Sequence, residues 1–173
     1  MNTEYLKSAR KIFSDYKRMA EKTMEQLSEK QLYWAPDKES NSIAIIAKHL
    51  WGNMRSRWTN FLTEDGEKPW RNRDTEFEMD WKGRDTLMQK WEEGWQIMFN
   101  TIDSLKETDL DKTVLTRGEQ NTVLEAINRQ IAHYASHIGQ IVYLGKMMKQ
   151  EDWHTLSIAR GKSKEFNEKM MKK

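Results

Sequence analysis

From about Thr3 to Leu27 the apolar positions Leu6, Ala9, Ile12, Phe13, Tyr16, Met19, Ala20, Thr23, Met24 and Leu27 keep the i, i+3, i+4 rhythm of an amphipathic helix, with Thr3 as its N-cap. Ser28 to Gln31 carries the Ser-x-x-Gln capping pattern and predicts a short turn through Leu32, Tyr33 and Trp34, stopped by Pro36. The polar stretch 37–42 offers N-caps to a second helix running from about Ser42 to Leu62, which Gly66 and Pro69 break. Glu67 to Phe77 is too charged and aperiodic for a core element and predicts a long, ordered loop. A third helix begins between Gly83 and Asp85 and carries Leu87, Trp91, Trp95, Met98, Ile102 and Leu105 on one stripe. Thr108 to Gln120 is polar apart from Val114 and Leu115, with a turn at Arg117 and Gly118, and predicts a short extended excursion. Thr122 and Glu125 then form a capping box that opens a fourth helix to about Lys149, striped by Leu124, Ile127, Ile131, Tyr134, Ile138, Ile141, Val142 and Met148. The tail, Glu151 to Lys173, packs on the bundle or frays from it.

Four long amphipathic helices joined by two longer connections predict an all-α, four-helix bundle, a single domain with its core at about residues 3–150. A chain of 173 residues can bury a core of its own, so a bound metal would serve function rather than folding. The formal net charge is only +2 with both signs interspersed, which argues against a nucleic-acid partner. The absence of cysteine rules out disulfides and thiolate ligands, leaving histidine and carboxylate for any metal. The first residues lack the basic-then-apolar order of a signal peptide, and no apolar run approaches the roughly 18 residues of a membrane span. A cytoplasmic protein without a membrane partner is expected.

The chemistry concentrates in the fourth helix. His133 and His137 lie one turn apart on one face, so both can address a single ion. His49 sits in another apolar helical run, Ile43 to Trp51, and reaches the pair if the second and fourth helices are neighbours. Three imidazoles suit Zn, Ni, Fe or Mn as a divalent ion with positions left open for water or substrate. The pair alone fits core or boundary histidines better than a metal site, and it is His49 that brings the two readings level. The pair is not the metalloprotease pattern, because Tyr134, Ala135 and Ser136 stand where that pattern needs a glutamate. Asn53 lies one turn after His49, and Gln130 and Gln140 flank the pair at near-helical spacing, so each is placed to orient a ligand or a bound water. Arg71 and Arg73 clamp an anionic substrate if their loop folds over the metal, as do Arg55, Arg57 or Arg160; taken singly, each arginine fits a solvated surface position better. Trp91 and Trp95 fall on the core stripe, whereas Trp34 and Trp70, in loops, are candidates for a pocket mouth. His154 is expected at the surface, and the methionines fill gaps in the core.

The segment Asn41 to Leu50, with His49, and the segment Ala132 to Gln140, with the His133–His137 pair, together resemble the DinB-like (YfiT-like) superfamily of bacterial four-helix bundles. The stretch Gly66 to Asp74 and the segment Leu156 to Gly161 are similar to a branch of it whose function is unassigned. The resemblance spans Thr3 to about Asn167 and departs at Ala159, where that branch has proline. It implies an up-down-down-up bundle, often a homodimer, with a divalent metal at one end held by His49, His133 and His137. It also implies a metal-dependent hydrolase, or a transferase or isomerase using a low-molecular-weight thiol such as bacillithiol or mycothiol. With no cysteine in the chain, such a thiol must arrive as a cosubstrate. The contrasting expectation is a non-enzymatic metal- or ligand-binding stress protein or a dimerisation module.

Overall fold

A computed structural model describes residues 3–172. Its frame is four long helices: α1 (Thr3–Met24), α3 (Ile43–Trp58), α4 (Gly83–Ser104) and α5 (Val123–Lys149). Short helices α2 (Glu29–Leu32) and α6 (Ser163–Met171), and a hairpin of β1 (Thr113–Thr116) and β2 (Glu119–Thr122), complete it. Among the described residues no helix is long and apolar enough to cross a membrane.

The helix starts follow their capping chemistry. Ser42 Oγ accepts from the backbone N–H of Ile45 at 3.2 Å to open α3, and the box of Thr122 and Glu125 opens α5. Ser28 and Gln31 cap α2 reciprocally, as their spacing predicts. The side chain of Thr3, the expected cap of α1, lies outside the described residues. The second predicted helix ends earlier than its apolar pattern implies, at Trp58 rather than Leu62, because Asn60 adopts a positive φ of 50° and turns the chain. The extended excursion is the two-stranded hairpin, closed at Arg117 and Gly118, whose φ angles of 58° and 75° match a two-residue turn of the primed type. The tail, expected to pack on the bundle or fray from it, carries an exposed helix, α6; a half-buried Trp153 and a reciprocal pair of hydrogen bonds between Gln26 and the His154 backbone tie down the segment before it.

The helix directions follow from which residues meet. Thr101 Oγ1 donates to the Trp58 carbonyl at 2.9 Å and Arg55 pairs with Glu93, so α3 and α4 run parallel. Tyr5 bonds Asn128 near the start of α1 and Thr23 packs on Gly145 near its end, so α1 and α5 are parallel too. Arg10 with Asp103 and Glu21 with Trp91 make α1 and α4 antiparallel, and Trp58 with Tyr134 and His49 with His137 do the same for α3 and α5. The order is up-down-down-up. Each long helix contributes one aromatic to the centre: Phe13, Trp58, Trp95 and Tyr134, with Phe13 5.6 Å from Tyr134 and Tyr134 5.8 Å from Trp95. All four are essentially inaccessible, and burying each ring stabilises the fold by roughly 1.5–3 kcal/mol. Trp91 joins Trp95 in this core, as its stripe predicts.

Parallel neighbours need a long return, and residues 59–82 supply it. The crossover is pinned to α3, where Ser56 donates to the Gly66 carbonyl at 2.5 Å and accepts from the Lys68 N–H at 3.3 Å. It is pinned to the hairpin as well, where Asp65 accepts from the N–H groups of Arg117 and Gly118 at 2.8 and 2.7 Å. The crossover thereby lies over the seam between α3 and α5.

Candidate metal centre

Three imidazoles meet beneath the crossover. The Nε2 atoms of His49 and His133 are 3.3 Å apart and those of His133 and His137 are 3.1 Å apart. His49 comes from α3 and the other two from α5, one turn apart, at mid-length of the seam rather than at an end of the bundle. Nitrogens about 2.0–2.1 Å from a tetrahedral ion stand roughly 3.3 Å from one another, a spacing that two of the three pairs match while all three lie within 4.8 Å.

Proton positions support the same use. His49 Nδ1 is 2.9 Å from Glu76 Oε2, and His137 Nδ1 is 2.9 Å from Gln140 Oε1. Facing oxygen acceptors, both Nδ1 atoms carry the hydrogen, and both Nε2 atoms present lone pairs to the shared point. A single hydrogen on His133 Nε2 cannot satisfy two such neighbours, whereas a cation does. Among the described residues, His133 Nδ1 is buried and meets no hydrogen-bond partner. Burial, then the proximity of His137 and His49, pushes the His133 imidazole from 6.5 down to about 3. Burial also pushes His137 down, with Gln140 opposing. The imidazoles of His133 and His137 are therefore held toward the neutral form that binds metal.

Glu76 is the second support. Its carboxylate accepts from Arg71 Nε and Nη2 at 2.8 and 3.0 Å while holding His49. Burial pushes the carboxyl up, but the hydrogen bonds from His49 and Arg71 outweigh it and the net shift is down. Its place against α3 depends on Gly52, since a Cβ there would lie 2.3 Å from Glu76 Oε1. Phe77, the next residue, stacks on the His49 ring at 5.2 Å.

With this geometry in view the chain can be compared with known families. Residues 1–162 match the family described as protein of unknown function (DUF1572). The chain belongs to the DUF1572 family. No curated protein matches it.

The span matched to DUF1572 takes in all three histidines, the crossover and the hairpin. Of the expected supporting residues, Gln140 holds His137, and Asn53 and Gln130 are buried in the wall of a cavity beside His49 and His133. Asn53 Oδ1 accepts from the Tyr134 hydroxyl at 3.0 Å rather than touching a histidine. Arg71 and Arg73 reach the same cavity, and so does Arg57; Arg71 is almost wholly buried, not solvated. Arg55 packs instead on Trp51 and Trp70, and Arg160 is exposed. Trp34 and Trp70 are half-exposed and line other hollows, so neither borders the histidines. His154 is exposed, as expected. Glu76 behind His49, and Arg117 and Arg129 in the cavity wall, also border the histidines in this DUF1572 chain, and the sequence pattern does not single them out. Arg129 was within reach, lying one turn before His133 on the same face, and a glycine three residues after His49 marks a close approach to α3.

Proposed function

We propose that this protein is a DinB-like, metal-dependent enzyme in which His49, His133 and His137 hold one divalent ion, Zn, Ni, Fe or Mn, and act on a small-molecule substrate. The observation that carries the reading is the convergence of three Nε2 atoms whose Nδ1 partners, Glu76 and Gln140, turn two of the lone pairs inward. Held by His49, His133 and His137, a divalent ion would supply Lewis acidity, the chemistry that activates water or a cosubstrate thiol near neutral pH. The protein's own groups do the rest. Glu76 and Gln140 keep two ligands in one tautomer, Phe77 shields the His49 ring from water, and the neighbouring cavity receives the substrate. Among the described residues, the group that could hold an ion consists of the three histidines, with no carboxylate in it.

Metal analysis of protein purified without a histidine tag, after growth in medium supplemented with all four metals, tests the reading. About one equivalent of a divalent ion, lost in His133→Ala, is the expected result; wild-type protein without stoichiometric metal would overturn it. Assays of the metal-loaded protein on ester and amide substrates, and on an electrophile with small thiols, separate hydrolysis from thiol transfer.

A further inference from the structure

The cavity beside His49 and His133 has a volume of about 240 Å³, and its lining includes the guanidinium side chains of Arg57, Arg71, Arg73, Arg117 and Arg129 but no aspartate or glutamate. These arginines come from four places in the chain: α3, the crossover, the hairpin turn and α5. Their convergence is a product of the tertiary fold and not of a charged run.

The acids that accompany the arginines stand behind them. Glu67 Oε2 alone serves three, accepting from Arg57 Nη2 at 3.1 Å and Arg117 Nε at 3.0 Å and lying 3.5 Å from Arg71 Nη1. Arg71 is further held by Glu76, which is shared with His49. Among the described residues Arg129 pairs with the exposed Glu119 at 3.6 Å, and Arg73 lies over the Phe77 ring at 5.6 Å. Two buried polar atoms in this wall meet no hydrogen-bond partner among the described residues: Arg57 Nη1, on a residue 8% exposed, and Gln130 Oε1, on a residue 6% exposed. Burial, then the neighbouring Arg71, lowers the Arg57 guanidinium, the mark of cations crowded together out of water. Burying such charge is costly unless it meets an opposite charge. Guanidinium forks match carboxylate and phosphate oxygens in pairs.

We propose that this cavity is an oxyanion site and that its ligand is a small dianion, a phosphate group or a pair of carboxylates, seated between Arg73, Arg117 and Arg129 with Arg57 and Arg71 behind. Its volume is that of roughly eight liquid waters, which fits a compact molecule and not a polymer. Naming this dianion as the substrate rests on the metal-centre reading, since two of the ligands, His49 and His133, form one wall of the cavity. The anion site itself does not.

Isothermal titration of the chelator-treated, full-length protein with inorganic phosphate, with succinate and with acetate, at low ionic strength, tests the proposal. Saturable one-to-one binding of phosphate or of succinate is expected, whichever is the tighter naming the source, with acetate at least tenfold weaker. Arg73→Gln and Arg129→Gln, both at accessible positions, should each weaken it about tenfold while the thermal midpoint and the metal stoichiometry stay unchanged. Binding of neither dianion, acetate binding as tightly, or full binding in both variants would overturn the proposal. A protein that binds phosphate but no metal would sink the metal reading and leave the anion site standing; one that binds metal but no anion does the reverse.

Discussion

His49 Nδ1 and Glu76 Oε2 meet at 2.9 Å with both side chains only about one-twentieth exposed, joining a helix of the bundle to the crossover that covers it. A buried carboxylate behind a ligating imidazole fixes its tautomer and raises its basicity. Glu76→Gln keeps a hydrogen-bond acceptor but removes the charge, and metal affinity measured by chelator competition should fall ten- to a hundredfold, in the range usual for such partners. An unchanged affinity would show that Glu76 serves Arg71 and not the ion.

Gly52→Ala separates helix propensity from packing. In an open helix the change stabilises by about 0.5–1 kcal/mol. Here the added Cβ would fall 2.3 Å from Glu76 Oε1 and 2.6 Å from its Cδ. The expected outcome in denaturant titration is a loss of about 1–3 kcal/mol, as for an overpacked core, together with weaker metal binding. A stabilised variant with wild-type affinity would contradict the close approach.

Tyr134→Phe removes a hydroxyl that accepts from Trp58 Nε1 at 2.9 Å and donates to Asn53 Oδ1 at 3.0 Å. Two buried polar groups lose a partner while the ring stays, so a destabilisation of about 2 kcal/mol is expected by urea unfolding. Metal stoichiometry should be retained, because Tyr134 touches the cavity wall through Asn53 and no ligand nitrogen.

Acid should weaken the metal-free protein from near neutrality downward. In the unfolded chain His133 takes up a proton near its ordinary value of 6.5, whereas folded it does so only at about 3. Between those values the unfolded state binds more protons, so stability is full above the window and is lost as pH falls through it. Glu76, lowered by its partners, adds a loss of the same sign as pH falls below the ordinary carboxylate range. The thermal midpoint of chelated protein should therefore drop steadily below about pH 6.5, and His133→Gln should flatten the upper part of that decline. A midpoint unchanged between pH 7 and 5 would contradict the burial of neutral imidazole.

What the sequence disclosed and what it withheld divide along a physical line. Helical periodicity places Phe13, Trp95 and Tyr134 on inward faces, and i, i+4 spacing sets His133 and His137 side by side, because both depend on residues a turn apart. Ser42 and Thr122 are legible as caps for the same local reason. Glu76 and Arg117 are not, because their destinations are set by tie points far away in the chain: Ser56 anchoring the crossover and Asp65 gripping the hairpin turn. The early end of α3 belongs with them, since an apolar pattern that continues through Phe61 and Leu62 says nothing of the turn that Asn60 makes.

The crossover exists because α3 and α4 run in the same direction and the chain must travel the length of the bundle to begin again. That return path brings Glu76, Phe77 and Arg71 over the histidines. An ion seated there would lie beneath this strap, and loosening residues 66–77 should speed its exchange. Occupancy in turn should slow amide hydrogen exchange across the strap, so that loading the site and stiffening the loop are one equilibrium observed from two ends.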